Sequence, residues 1–379
     1  MRRRVFLAGA CSAFAAGAEV QVDSDGMLLI RGVRTFALGL YQLPQGDRAW
    51  QRASGAGFRF VHAALQKDQL DLAGEHGIYT WATLGSLGSP QDEQRIRRLL
   101  ADWKGRREIL FWETEDEPSF VWNKPREFRV KPEVIRETYR LVKSIDPSRP
   151  LYLNHSPTNL VSTLARYNPG GDLIATDVYP VIPHGIRGQY ALWPDGQQGD
   201  LLNATISQIG PYVDKMRQVA GPARGVWMVL QGFAWEMLRQ TGRDPKMVRY
   251  PTLAETRFMA YQAIVHGATG LLWWGLHRTP PDSGLWESVA TTVGELNSIS
   301  VELAGRRLDV ALDVEYHDTG HSLDRGIEWV AKPAGSGVLV IAVNADKNPV
   351  EATLRLGSWS RRELFEPFSV RQWRVPGRQ

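Results

Sequence analysis

At 379 residues, with 43% hydrophobic and 10% aromatic content, the chain can bury a large core and a second, smaller one, which excludes a disordered or disulfide-framed mini-protein. The formal net charge is +4, but Arg2, Arg3 and Arg4 crowd the extreme N-terminus, and the remainder is close to neutral. No basic stripe interleaved with aromatic residues occurs elsewhere, so no nucleic-acid partner is expected.

Residues 1–18 read as an export signal. Arg2 to Arg4 form a positive region, Val5 to Ala16 is small and apolar, and Ala16-Gly17-Ala18 is an A-x-A cleavage pattern. Arg3-Arg4-Val5-Phe6-Leu7 resembles a twin-arginine signal, which implies a periplasmic or secreted protein. The stretch is too short to span a membrane, so no membrane association is expected once it is removed. The single cysteine, Cys11, lies inside it, and the mature chain would then have neither disulfide nor thiol chemistry. Leu7-Ala8-Gly9-Ala10-Cys11 also loosely fits a lipid-attachment site.

After a β lead-in over 19–33, a rhythm begins. Strands are predicted at Phe36 to Tyr41, Phe58 to Ala64, Ile78 to Leu84, within the stretch Ile109 to Pro118, and at Leu151 to Asn154, Leu173 to Tyr179, Val226 to Gln231 and Gly270 to Trp274. Helical stretches lie near 46–56, 67–76, 131–146 and 204–219 and open after Ser89 and Thr252, and a last helix lies near 286–304. Ser89-Pro90 is a helix start, and Thr252 with Glu255 is a capping box. A loop of about 20 residues, including Trp193, follows strand six; loops that long are usually functional or disordered. Short apolar strands alternating with amphipathic helices indicate parallel strands buried on both faces. Eight such units over roughly 270 residues fit an α/β TIM barrel, expected to occupy 19–306. No glycine-rich dinucleotide fingerprint follows the first strand, and no cofactor is expected. From 307 to 379 the pattern changes to period two: Ile327 to Ala331, Val338 to Val343, Ala352 to Leu356 and Ser369 to Val375 read as strands, predicting a small antiparallel, sandwich-like β domain.

The stretch Ile109-Leu110-Phe111-Trp112-Glu113-Thr114-Glu115-Asp116-Glu117-Pro118 runs from buried strand into clustered acid. Like charges so placed raise the pKa of at least one group. In a TIM barrel the active site lies at the C-terminal strand ends. Those ends offer Glu117, Asp116 and Asp177 as catalytic candidates, and Tyr41, Trp81, Asn154, Tyr179, Gln231 and Trp274 as binding candidates. The set is acidic and aromatic, lacks a nucleophilic serine or cysteine, and suits glycoside chemistry on a carbohydrate substrate. The histidines show no tight ligand spacing, so no metal is expected.

Trp112 followed by Asp116-Glu117-Pro118 resembles the Asn-Glu-Pro strand ending of the TIM-barrel glycoside hydrolase clan that includes cellulases and β-galactosidases. Phe36 to Tyr41, Gly57-Phe58, Asp177-Val178-Tyr179-Pro180 and Gly267 to Trp274 are similar too, over most of residues 34–305. The resemblance implies that Glu117 is the general acid/base. Two departures accompany it: Asp116 stands where the clan has Asn, and Gln231 ends strand seven where the clan has its nucleophilic Glu. Three readings follow. The enzyme inverts, with Asp177 or another carboxylate activating water; or Asp116 orients a substrate acetamido group, as in β-hexosaminidases; or Glu236 or a further acid not marked by the pattern reaches the site. A catalytically inactive glycan-binding barrel is the alternative. Glu113 and Glu115 also read as solvated charges unless the strand stays regular, in which case they share the face of Glu117.

Overall fold

The computed structural model describes residues 20–121, 124, 127–183, 191–192, 198–199, 206–317, 323 and 325–377. Residues 1–18, read above as an export signal and including Cys11, and Trp193 lie outside them. No described helix is long and apolar enough to cross a membrane.

Eight strands close into a barrel: Ala37–Leu40, Phe60–His62, Tyr79–Thr83, Ile109–Asp116, Leu151–His155, Leu173–Asp177, Gly225–Gln231 and Gly270–Trp274. Each pairs in parallel with its sequence neighbour, and Gly270–Trp274 returns to Ala37–Leu40. Both faces are covered, which is why the strands are near-continuous apolar runs; Gly225–Gln231 is buried at every position. Inward residues such as Phe60, Phe111, Tyr152 and Trp227 fill the interior, and outward ones such as Leu40, Ile109, Trp112 and Trp273 pack against helices. The helix starts behave as their chemistry dictates. Ser89 Oγ accepts the N–H of Asp92 at 3.3 Å, and Thr252 and Glu255 exchange backbone bonds at 3.2 and 2.9 Å. The last predicted helix is two, Leu285–Ser298 and Ser300–Ala304, broken at Ile299.

A hairpin sheet, Val20–Val22, Leu28–Ile30 and Val33–Thr35, reaches the N-terminal end of the seventh strand. Gly26 (φ 82°) meets Gly225 there so closely that a Cβ on Gly26 would lie 2.4 Å from the Gly225 nitrogen. Two backbones can approach in this way only without side chains.

The C-terminal region is two three-stranded antiparallel sheets around Val340, Ala342, Val350, Leu354 and Phe365. Two of its strands, Asp313–Tyr316 and Trp359–Phe365, escape the sequence reading because they lie at sheet edges and are largely exposed, so their apolar alternation is weak. One ion cluster ties this region to the barrel. His266, at the end of the helix Leu253–Val265, lies 2.8 Å from Asp214 and 3.0 Å from Glu328 of the strand Ile327–Ala334. Burial alone would lower the His266 pKa; the two carboxylates outweigh it and raise the group to about 9. Gly210 makes room, since a Cβ there would lie 2.4 Å from His266 Nε2.

Because the folded state holds this proton above the ordinary pKa of 6.5, the cluster's contribution is full below pH 6.5 and is lost as pH rises through about 9. Denaturant titrations across that window should show stability falling with pH, and His266→Gln should flatten the fall. An unchanged slope in the variant would remove His266 from the junction.

Candidate active site

The fourth strand does not stay regular. Its pairing with Leu151–His155 shifts between Glu113 and Asp116. This bulge breaks the two-residue alternation, so Glu113 and Asp116, rather than Glu113 and Glu115, face the barrel axis. Glu115 turns to the rim, where Ser86 donates to it at 3.0 Å and Arg129 pairs with it at 3.1 Å. The next residue, Glu117, has φ 41°, a left-handed backbone that is uncommon for a side chain this large. Strain of that kind is held only where the surroundings over-determine it.

Glu117 lies beside Asp177, at the end of the sixth strand, close enough for each to shift the other's pKa. Asn154, on the fifth strand, donates from Nδ2 to Asp116 Oδ1 at 2.9 Å and to Asp177 Oδ1 at 3.1 Å. Three carboxyl groups thus share one cluster, two of them tied by a single amide. Burial, then the charges of Asp177 and Asp116, hold Glu117 well above the usual carboxylate range. Asp177 is raised as well, by burial and by the Asp116 charge, against the lowering effects of Glu117 and Asn154. Asp116 opens into the cleft but is walled by protein; desolvation raises it, partly offset by the Asn154 bond and by Arg129. Of the three, Glu117 is pushed strongly toward its protonated form, and Asp177 is raised to about 7.

Glu113 lies beneath this chain, only 1% exposed, and is no solvated charge. Thr83 donates to it at 2.8 Å, and the Tyr41 hydroxyl lies 3.4 Å away and 2.9 Å from that of Tyr152. Burial and the Asp116 charge raise it to about 8, so it is an uncharged acid bracing Tyr41.

Asp116, Glu117, Asp177, Tyr41, Asn154, Tyr179 and Trp274 line a single cavity of about 210 Å³. Tyr179 and Trp274 stack with ring centroids 5.7 Å apart. Two predicted binding residues are placed elsewhere. Trp81 is fully buried below the cavity, stacked on Phe111 at 5.3 Å and edge-on to Tyr41, so it supports Tyr41 rather than facing the opening. Gln231 is wholly buried: it exchanges two 2.9 Å bonds with the Val181 backbone and donates to the Phe233 carbonyl at 3.0 Å. It fastens the chain leaving strand six to the turn after strand seven. Glu236 does not reach the cavity either; it accepts the Asp244 N–H at 2.7 Å and pairs with Arg239. Its neighbours do reach it. Phe233, Trp235 and Leu238, with Phe120 and Val229, complete the walls. The aromatic spacing in Gly232-Phe233-Ala234-Trp235, just past a strand end, was the signal available for them.

Neither His62 nor His155, both at strand ends, lines the cavity. His62 is paired with Thr83 at 3.0 Å and pushed down to about 4 by burial; His155 is pushed down to about 3, by burial and by Lys215. Among the described residues no group of three or more His, Cys, Asp or Glu side chains is placed to hold a metal ion.

No protein-family model and no curated protein matches the chain. Solved structures do. A glycoside hydrolase family 5 protein from Bacteroides vulgatus ATCC 8482 is similar at TM-score 0.58 and 13% identity, over 94% of this chain and 90% of that one. A mutant of the glycoside hydrolase family 5 mannosidase from Rhizomucor miehei is similar at TM-score 0.52 and 12% identity, over 76% and 100%. Against an FMN-binding β-glucuronidase from Facaelibacterium prausnitzii L2-6 the TM-score is 0.49 at 13% identity, and the match spans 58% of that longer chain. At these identities the likeness establishes the fold alone, an eight-stranded parallel barrel ringed by helices.

Gln231→Glu does not restore the clan's missing acid. A carboxylate can accept from Val181 but cannot donate to the carbonyls of Val181 and Phe233. The variant should lose about 1–3 kcal/mol in urea unfolding, the range for a buried group left unpaired, and gain no activity. An unaltered midpoint would show that these bonds do not hold the loop.

Proposed function

We propose that the chain is a glycosidase in which Glu117 is the general acid and Asp116 orients the acetamido group of the substrate itself. One observation carries the reading: the end of strand seven offers the cavity no carboxylate, because Gln231 stands there and is bound to the backbone of Val181 and Phe233. The carboxyl groups lining the cavity among the described residues are Asp116, Glu117 and Asp177, all at neighbouring strand ends on one side of it. The nucleophile then comes from the substrate.

The chemistry follows from the placements. Glu117 gives its proton to the glycosidic oxygen as the bond to C1 breaks. The acetamido carbonyl oxygen attacks C1, and Asp116 accepts the amide N–H and balances the positive charge of the cyclic intermediate. Water then opens the ring at C1 and returns a proton to Glu117. Asp177 and Asn154 hold the two acids in register throughout. Trp274 and Tyr179 offer flat faces for the sugar ring. If residues 1–18 act as read above, this reaction takes place outside the cytoplasm.

Gln231, wedged where the clan has its nucleophile, favours a second reading: a barrel that binds glycans without cleaving them. Calorimetric binding with no product released from N-acetylhexosaminides would select it.

Glu117→Gln should cut turnover of an N-acetylhexosaminide by about 10²–10⁴-fold, the usual contribution of a general acid, with a smaller loss on aryl substrates that need less protonation. Near-normal turnover by that variant on an unactivated substrate would falsify the assignment. In the wild-type protein, kcat/KM should fall as pH rises through the elevated Glu117 pKa and should also fall at low pH as Asp116 is protonated. The alkaline limb belongs to the proton donor, and a profile with no alkaline limb sinks the role.

A further inference from the structure

The cavity is rich in hydrogen-bond acceptors and poor in donors. Asp116 and Asp177 present carboxylate oxygens. Asn154, only 3% exposed, commits both amide hydrogens to them, which fixes its orientation and leaves Oδ1 without a partner. The Trp235 indole N–H is taken by the Tyr179 carbonyl at 3.1 Å. No lysine or arginine lines the cavity among the described residues. Arg129, whose charge reaches Asp116 and Glu117, is itself paired with Glu115.

A ligand must therefore supply donors. A sugar carboxylate supplies none and adds a like charge beside two acids. A hydroxyl supplies one. An ammonium supplies three, together with the opposite charge, opposite the two carboxylates gathered by one asparagine. The aromatic walls add faces that attract cations.

We propose that the cavity selects 2-amino sugars that carry no carboxylate, with the N-acetylated form turned over and the free ammonium form binding more tightly without being turned over. The inference rests on the cavity being a glycan site. The two forms divide for a chemical reason. The acetamide brings one N–H donor for Asp116 and the carbonyl oxygen that attacks C1. The ammonium satisfies more of the acceptors but has no oxygen to attack with, so it occupies the site and blocks it.

The test is a titration of intrinsic tryptophan fluorescence, which Trp274 and Trp235 report, in the full chain near neutral pH. The probes are the methyl glycosides of glucosamine, N-acetylglucosamine, glucose and glucuronic acid, with the galacto series beside them. The amino sugar should bind on the order of tenfold more tightly than the neutral sugar of the same series, as expected for a charge pair in a partly desolvated cleft, and the uronate should not bind. Asp116→Asn should narrow that gap. Equal binding of amino and neutral sugars, or binding of the uronate, overturns the selectivity and leaves the glycan site standing. Binding by none of them overturns both. The predicted order without turnover of any N-acetylhexosaminide keeps the selectivity and removes the catalytic reading.

Discussion

One electrostatic conflict organises the site. Glu117, Asp116 and Asp177 are brought into a single walled cleft, where three negative charges cannot coexist at close range. Burial and the neighbouring charges push Glu117 strongly toward its protonated form, while Asn154 braces Asp177 and Asp116 from the fifth strand. An acid that stays protonated at neutral pH is what a general acid needs. The repulsion that makes the arrangement unfavourable to build is the same term that tunes it.

The barrel makes such a cluster possible because adjacent strands bring side chains distant in sequence to one rim. Asp116, Asn154 and Asp177 come from three successive strands, and each is the last or next-to-last residue of its strand. Two local irregularities finish the work. The bulge in the fourth strand turns Asp116 inward and Glu115 outward, and the left-handed backbone at Glu117 places its carboxyl against Asp177. Below them the buried Glu113, Tyr41 and Tyr152 form a second polar layer that carries Tyr41 up to the cavity. The floor is thus polar and hydrogen-bonded, while the walls are aromatic.

Gln231 illustrates how a missing acid changes the chemistry of a barrel. An amide both donates and accepts, and in the seventh strand it uses both capacities to join two loops at the cavity edge. A carboxylate at that position would be free to attack; an amide is a fastener. The strand-seven position is thereby given to structure.

The sequence by itself determined the architecture and the acid. Apolar strand runs, helix caps and unit spacing placed all eight barrel strands, because a parallel strand buried on both faces has no choice but to be apolar and a helix start must satisfy its N–H groups locally. The strand-end rule and the Asp-Glu-Pro ending brought seven of the residues that line the cavity to notice: Tyr41, Asp116, Glu117, Asn154, Asp177, Tyr179 and Trp274. The tertiary structure alone decided what depends on direction and partner. Glu113 is a buried, uncharged acid, Trp81 lies beneath the floor, Gln231 is locked to backbone, and Phe233 and Trp235 become walls. A one-residue bulge, a positive φ and the partner waiting across a loop fix those outcomes. None of them leaves a periodic trace in the chain, because each is set by contacts between residues tens of positions apart.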